Sequence, residues 1–170
     1  MPIFRMRGSA AHPSEMTGQH LGRWQPTPLS AVASRGVEPR GIHHLGVAVV
    51  DLDEAVATYE RLFGARVEHR ETVPDQGVEA ASLRIGAGRV ELLASLGAET
   101  PVGKFLAKRG PGMHHVAYEV DDVGEALGEL AAEGAELIDE HPKRGLFGLE
   151  VAFVHPDAVH GVLAEIVSDG

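Results

Sequence analysis

Residues 44–56 read HLGVAVVDLDEAV, and residues 115–127 read HVAYEVDDVGEAL. The second stretch repeats the first at a distance of 71 positions, so that His44 falls on His115. Four further residues of the first stretch are repeated identically in the second: Val49, Asp51, Glu54 and Ala55. The chain therefore contains one structural unit twice, and each unit begins with a histidine.

Each unit also ends on a glutamate inside an apolar segment. RVELL at 89–93 matches VLAEIV at 162–167, which places Glu91 on Glu165 after a slip of three residues. A carboxylate within an apolar strand is costly to bury unless it is paired or bound to a metal. Two modules related by a pseudo-twofold axis would bring two histidines and two glutamates to one point. That set of side chains is typical of a divalent metal site.

The local patterns predict the element order βαβββ in both units, joined by a short helix. In the first unit we expect one strand, one helix and three strands, at about 42–50, 53–63, 65–71, 78–85 and 89–95. Thr100-Pro101 predicts the start of a linker helix that runs to about residue 109. The second unit repeats the order at about 113–120, 122–133, 136–139, 149–154 and 161–167.

Adjacent histidines begin both units, at 43–44 and 114–115. Neighbours along a strand point to opposite faces. His44 and His115 share their faces with small residues, whereas His43 and His114 share theirs with bulky apolar ones. The bulky face must pack against a helix, and the small face leaves room for a ligand. We therefore expect His44 and His115 to face the site.

Composition divides the chain into two parts. Residues 1–40 are rich in Pro, Gly, Ser and Arg, and without a sustained apolar period they are expected to form a disordered leader. Residues 41–170 are expected to form one domain. It comprises a first module at about 42–96, the linker helix at about 100–109 and a second module at about 113–168.

Several functional classes are excluded by composition. The chain has no Cys, so disulfides and thiolate zinc sites are ruled out. Its net charge of −10 argues against general nucleic-acid binding. No apolar run approaches the roughly 18 residues of a membrane span, and a signal peptide is not recognisable. We expect a cytoplasmic protein with neither a nucleic-acid nor a membrane partner.

A family resemblance is carried by stretches that cover nearly all of the body: IHHLGVAVVDLDEAVATYERLFG (42–64), VPDQGV (73–78), RVELL (89–93), PVGKFLAKRGPGMHHVAYEVDD (101–122), LIDEHPKRG (137–145), VAFVHP (151–156) and GVLAEIV (161–167). In these the chain resembles the vicinal-oxygen-chelate superfamily, which includes glyoxalases, bleomycin resistance proteins and dioxygenases. Within it, the chain resembles the methylmalonyl-CoA epimerases. The resemblance implies an α+β fold in which two paired βαβββ modules form a cupped, incomplete-barrel sheet around a metal.

The resemblance also implies a site and a reaction. The metal ligands it implies are His44, Glu91, His115 and Glu165. They would hold a divalent ion, with Co²⁺ as the first choice and Mn²⁺, Ni²⁺ or Zn²⁺ as alternatives. The implied reaction interconverts (R)- and (S)-methylmalonyl-CoA by removing the α-proton through a metal-stabilised enolate. The implied partners are a CoA thioester and a second copy of the chain in a homodimer.

Candidate roles follow for individual side chains. Glu165 is the candidate for ligand and base together, while Glu91, Glu79 or a water would serve the opposite face of the substrate. The expected contacts of the CoA phosphates are three cations: Lys104, Lys143 and Arg144.

Three departures from the family pattern leave alternatives open. Ala80 stands where some members have a glutamate base, the loop at Leu146-Phe147 is bulky, and Asp157 replaces a common lysine. The second base and the acyl-chain preference therefore stay undecided. A glyoxalase I-like lyase, another enzyme of this superfamily and a metal-free small-molecule-binding protein on the same fold are the alternatives.

Overall fold

The computed structural model describes residues 36–169, so the predicted leader lies almost wholly outside the described residues. The few leader residues within it contact the domain. Val37 packs against the apolar cluster beneath the helix of the second module, Val123–Ala132. The Arg40 amide donates to the Glu119 carbonyl at 2.8 Å. The Arg40 guanidinium also pairs with Asp121. Residues just before the predicted boundary therefore contact the domain.

The element order matches the expected repeat. The first module contains β1 (Gly41–Val49), α1 (Leu52–Phe63), β2 (Arg66–Val73), β3 (Val78–Ile85) and β4 (Gly88–Ser95). The linker helix α2 is Pro101–Arg109. The second module contains β5 (Gly112–Glu119), α3 (Val123–Ala132), β6 (Lys143–Arg144), β7 (Glu150–Val154) and β8 (Leu163–Ser168). None of the helices between residues 36 and 169 is long and apolar enough to cross a membrane.

The eight strands form one mixed sheet in the order β2-β3-β4-β1-β5-β8-β7-β6. β1 pairs in parallel with β4, and β5 pairs in parallel with β8. The two modules join where β1 and β5 run antiparallel, so the first strand of each unit lies at the centre of the sheet. The sheet curls into a half-barrel, which confirms the predicted α+β fold of paired modules.

Equivalent aspartates begin the two repeated helices. Asp51 Oδ1 accepts the Glu54 amide, and Asp122 Oδ1 accepts the Glu125 amide, each at 2.8 Å. An N-cap carboxylate satisfies a free N–H of the first turn and carries the charge that the helix dipole favours there. α1 ends at Gly64, which adopts the left-handed conformation with φ 62°.

Each repeated helix covers the bulky face of its own module. Val47 and Val49 pack with α1, and Tyr118 and Val120 pack with α3. The opposite face of β1 and β5 carries the small residues Ala48 and Ala117, both 0% exposed. The alternation argument is confirmed, because the apolar face is covered by helices and the small face lines the inside of the curl.

The predicted strand at 136–139 is wrong in extent. Only Leu137 forms a β-bridge there, with Val154. The Ile138 and Asp139 amides both donate to the Phe153 carbonyl, while the Asp139 carboxylate accepts the Phe153 amide at 2.9 Å. The Asp139 carboxylate thus takes the place of the backbone carbonyl that would accept the Phe153 amide in a regular strand pair. The strand therefore stops after one bridge, and β6 pairs with β7 farther along the chain.

Candidate metal centre

Four ionisable residues meet inside the curl where the two modules join. His44 is on β1, His115 on β5, Glu91 on β4 and Glu165 on β8, so each repeated strand pair supplies one histidine and one glutamate. All four are buried, with exposures of 3–6%. We call these four residues the His/Glu cluster. The structure thus brings together all four side chains that the repeat singled out.

Three atoms of the cluster lie close to one another. His44 Nε2 and His115 Nε2 are 2.9 Å apart, and Glu165 Oε2 lies 3.1 Å from the first and 3.3 Å from the second. Glu91 Oε2 is somewhat farther, at 3.6 Å from His44 Nε2 and 3.8 Å from His115 Nε2. Three potential ligand atoms from three strands therefore lie within 4.8 Å of one another, and the Glu91 carboxylate lies beside this group.

Small residues opposite each histidine allow this approach. His115 pairs across the module boundary with Gly46, and His44 pairs with Ala117. A Cβ atom at position 46 would clash with the His115 ring. The small face of β1 and β5 therefore leaves the volume in which the two imidazoles meet.

The neighbouring histidines lie closer to the site than alternation predicts. A β-bulge on β1 contains His43, and a β-bulge on β5 contains His114, so each is an extra residue relative to the opposite strand. His43 Nδ1 is 2.8 Å from His44 Nδ1, and His114 Nδ1 is 3.0 Å from His115 Nδ1. His114 also borders the cavity beside the cluster. The expectation that these two residues face away is incomplete, because a bulge interrupts strict alternation.

Burial disfavours the charged form of these neighbouring histidines, His43 and His114. Burial lowers the pKa of His114 to about 4, and it also lowers the pKa of His43. A neutral His114 ring can accept the Nδ1–H of His115, which leaves the Nε2 lone pair of His115 directed into the cluster. The Arg89 guanidinium, 3.2 Å from His43 Nε2, can only donate, so a neutral His43 carries its proton on Nδ1 and donates to His44 Nδ1. The repeated His-His doublet in the sequence indicated these paired histidines. The contact within each doublet, however, depends on the two bulges.

The two glutamates have opposite pKa shifts. Burial, aided by the charge of Glu165, raises the pKa of Glu91 to about 7. Burial would also raise the pKa of Glu165, but the adjacent His115 and His44 more than offset it and lower that pKa to about 2. Glu165 Oε2 is buried and has no hydrogen-bond partner among the described residues. An ionised oxygen in such a place needs a positive charge nearby.

Three members of the cluster, His44, His115 and Glu165, fit a single divalent cation, with Glu91 beside them. Nitrogen and oxygen ligands about 2.1 Å from one ion are about 3.0–3.4 Å apart in octahedral or tetrahedral arrangements. The three closest separations, 2.9, 3.1 and 3.3 Å, match that range closely. Two imidazole nitrogens with two carboxylates suit borderline divalent metals such as Co²⁺, Ni²⁺, Mn²⁺ and Zn²⁺. Such an ion would provide a partner for the Glu165 oxygen and would offset the free-energy cost of burying the Glu91 carboxylate.

A cavity of about 890 Å³ opens beside the cluster. Much of its wall is apolar: Val78, Leu93, Val102, Phe105, Leu146, Leu149, Val151 and Phe153. Three cations border it, namely Arg109, Lys143 and Arg144. Lys143 Nζ lies 2.6 Å from Asp139 and 4.9 Å from the Phe153 ring centroid. The cavity therefore combines an apolar interior, the His/Glu cluster and a positively charged part of its border.

Two predicted site residues lie elsewhere. Lys104 is not among the described residues that border the cavity, and its ammonium lies 3.6 Å from Glu99 at the surface. Arg109, at the other end of α2, borders the cavity instead. Glu79 points to the helix-covered side of β3, where it accepts hydrogen bonds from Arg70 at 2.8 and 3.1 Å. The structure does not bring Lys104 or Glu79 to the cluster.

Comparison with known proteins assigns the family. A family model described as the glyoxalase/bleomycin resistance protein/dioxygenase superfamily matches residues 43–153, which include both histidine doublets and Glu91. The chain belongs to this superfamily. The cupped sheet of paired modules is thus the superfamily fold, and the resemblance stated from the sequence is confirmed.

Within the superfamily, the similar proteins include several epimerases. The mitochondrial methylmalonyl-CoA epimerase of Bos taurus is 37% identical over 126 residues, covering 74% of this chain and 72% of that protein. The ethylmalonyl-CoA/methylmalonyl-CoA epimerase of Cereibacter sphaeroides is 36% identical over 127 residues, covering 74% and 95%. A crystallised variant of Streptomyces coelicolor methylmalonyl-CoA epimerase, in complex with 2-nitronate-propionyl-CoA, superposes with a TM-score of 0.73 at 36% identity, covering 77% and 98%.

Proposed function

We propose that this protein is a metal-dependent epimerase that interconverts (R)- and (S)-methylmalonyl-CoA. The observation that carries the proposal is the convergence of His44, Glu91, His115 and Glu165 on one buried point beside a large cavity. The epimerase relatives, similar over most of their length, support the substrate. The Streptomyces coelicolor enzyme, crystallised with a propionyl-CoA derivative, supports a CoA thioester as the ligand of this cavity.

The reaction requires removal of a weakly acidic α-proton and its return on the opposite face. A divalent cation in the cluster would supply the positive charge that stabilises the developing enolate oxygen. The two histidines would hold that cation as neutral ligands. Their ring orientation would be fixed by His43 and His114 through the Nδ1 contacts of 2.8 and 3.0 Å.

Glu165 is the proposed base as well as a ligand. One of its oxygens, Oε2, is directed at the two imidazoles and is buried. A carboxylate has a second oxygen, which can take the α-proton of a substrate held at the metal. On the opposite face, Glu91 is the remaining carboxylate of the cluster, whereas the bond between Glu79 and Arg70 argues against Glu79.

The CoA portion of the substrate is proposed to extend toward Lys143, Arg144 and Arg109. All three border the cavity, and guanidinium and ammonium groups are the usual partners of phosphate oxygens. The surface position of Lys104 argues against its expected role. The apolar wall would contact the methyl group and the acyl chain.

The direct test is exchange of the substrate α-proton for deuterium. Protein freed of metal and reloaded with Co²⁺, Mn²⁺, Ni²⁺ or Zn²⁺ is mixed with (S)-methylmalonyl-CoA in D₂O and followed by NMR. We expect exchange and formation of the other epimer with at least one metal. No exchange with any of them overturns the proposal. Turnover of a glutathione hemithioacetal under the same conditions would then favour the glyoxalase I-like alternative.

Two further properties remain predictions. A homodimer is expected from the family resemblance, and a cytoplasmic location is expected from composition. Sedimentation equilibrium of the full chain measures the first, and a single species at 18.0 kDa would contradict it.

A further inference from the structure

A segment of the second module crosses to the first module beside the cavity. It comprises residues 143–149, from β6 through the short 3-10 turn Leu146–Gly148, and we call it the strap. The strap supplies five residues to the cavity border: Lys143, Arg144, Gly145, Leu146 and Leu149. Its position therefore determines both an apolar part of the wall and two of the three cations.

Two hydrogen bonds tie the strap to the first module. The Phe147 amide donates to Glu71 Oε2 at 2.8 Å, and the Gln76 side-chain amide donates to the Arg144 carbonyl at 3.2 Å. The first of these has a carboxylate acceptor, is partly buried and is the shorter. Charge-assisted hydrogen bonds are roughly twice as strong as neutral ones. Glu71 is therefore the stronger of the two ties.

The strap has an unfavourable backbone that needs such a tie. Phe147 has φ 57°, in the left-handed region that a residue with a Cβ rarely adopts. It is one of two non-glycine residues with positive φ between residues 36 and 169. Such a conformation persists only where the surroundings hold it. The Glu71 hydrogen bond acts on the amide of this same residue, and the ring of Phe147 contacts His69, with centroids 5.6 Å apart.

The position of Glu71 on the sheet explains why it reaches the strap. Glu71 on β2 pairs directly with Ala80 on β3, so both side chains point to the same face. Ala80 is fully buried with Leu93 and Ala48 on the inner face of the curl. The small Ala80 side chain leaves room beside Glu71, and the edge position of β2 lets the strap pass over it.

We propose that Glu71 is a positioning residue that fixes the strap, and through it the cavity wall that receives the CoA thioester. The substrate part of this inference rests on the proposed function, whereas the structural part does not. Glu71 is not among the described residues that border the cavity, and its carboxylate is engaged by the Phe147 amide. It therefore acts on the cavity wall through the strap.

Two substitutions separate positioning from proton transfer. Glu71→Gln keeps an oxygen that can accept the Phe147 amide but removes the basic carboxylate, whereas Glu71→Ala removes both. Glu129→Ala deletes an exposed carboxylate on α3 and is the control for lost charge. Each full-length variant is loaded with Co²⁺. Hydrogen exchange at the Phe147 amide and steady-state kinetics with methylmalonyl-CoA are then measured.

We expect the Phe147 amide to exchange about 10-fold faster or more in Glu71→Ala, because its bond to a charged group is lost. KM should rise about 10-fold with kcat within about twofold. Glu71→Gln and Glu129→Ala should resemble the wild type in both measurements. Unchanged exchange in Glu71→Ala overturns the proposal. A kcat loss of about 10²-fold or more in Glu71→Gln also overturns it, since that would make Glu71 an acid or base.

The two proposals fail in different ways. If the wild type loaded with metal does not turn over methylmalonyl-CoA, the proposed function fails, and the amide exchange of Glu71→Ala still decides whether Glu71 holds the strap. If the wild type is active and the strap exchanges equally in all variants, only the positioning role fails.

Discussion

At the scale of single residues, the His/Glu cluster contains two carboxylates that are 5–6% exposed at one point. Two buried anions are costly, since each loses its hydration and repels the other. Burial of Glu91 raises its pKa, which reflects this cost. The two imidazoles lower the pKa of Glu165 despite its burial, so the charge of Glu165 depends on them. A divalent cation would remove the repulsion and use the nitrogen lone pairs at the same time. An apolar core at this point would be more stable than one that contains two buried carboxylates. We therefore infer that the cluster serves to bind a metal.

Replacing either central histidine should remove the metal without unfolding the chain. We expect His44→Ala and His115→Ala to lose both bound metal and α-proton exchange, because two ligand atoms 2.9 Å apart are needed to hold one ion. Elemental analysis after dialysis and circular dichroism measure metal and fold. His141→Ala is the control, since His141 is exposed. Full metal occupancy in the His44→Ala/His115→Ala double variant would show that the ion binds elsewhere.

Glu165 and Glu79 should differ sharply as sites of substitution. Glu165→Gln is expected to keep some metal but lower the exchange rate on the order of 10²–10⁴-fold, the usual contribution of a general base. Glu79→Ala should change the rate by less than about twofold, because Glu79 is bonded to Arg70 on the other side of β3. Rates with Co²⁺ at saturation measure both. A Glu79→Ala variant that holds metal yet does not turn over would reverse these two assignments.

At the scale of secondary-structure elements, most of the fold follows from local sequence. The helices expected at about 53–63 and 122–133 and the strands expected at about 42–50 and 113–120 lie within a few residues of the observed elements. The bulges at His43 and His114 could not be read in this way, because a bulge exists only relative to a partner strand in the other module.

Two other features could not be predicted from local sequence for the same reason, namely that they depend on distant partners. The strap that meets Glu71 and the short bridge at Leu137 both depend on partners more than ten residues away in sequence. Arg109 borders the cavity and Lys104 does not, because the two residues lie near opposite ends of α2. Repeat symmetry located the cluster because the contacts that form it are equivalent in both modules.

The two helix caps should contribute equally to stability. Asp51→Ala and Asp122→Ala each remove one 2.8 Å hydrogen bond to a first-turn amide. We expect each to lower the free energy of unfolding by about 1 kcal/mol, with a fall in Tm of about 2–4 °C. Asp51→Asn and Asp122→Asn retain the acceptor and should recover most of this loss. Urea denaturation measures it, and equal losses for Ala and Asn would mean that the capping bond is unimportant.

At the scale of the whole molecule, one sheet unites the two modules. The antiparallel pair of β1 and β5 places the His/Glu cluster on the boundary between them, with one histidine and one glutamate from each side. Neither module contains the cluster alone. The site therefore exists only when both halves of the sheet have formed, so folding of the domain and formation of the site are one event.

The leader should be dispensable up to the residue that contacts the core. A chain beginning at Gly36 retains Val37, which packs against the apolar core beneath α3. A chain beginning at Glu38 lacks this residue. We expect the first to keep the Tm of the full chain and the second to be less stable by about 1 kcal/mol, the value of a partly buried side chain. Calorimetry of the three proteins measures this. A Tm several degrees lower in the chain beginning at Gly36 would show that residues 1–35 pack on the domain.

The central claim is that one divalent ion, held by the four residues of the His/Glu cluster, makes this protein an epimerase. The most direct measurement is the rate of α-proton exchange in methylmalonyl-CoA as Co²⁺ is titrated into metal-free protein. We predict that the rate is negligible without metal and rises in proportion to added Co²⁺. It should level off at one equivalent per chain. Full exchange in the presence of a chelator, or none at any ratio of metal to protein, would contradict the claim.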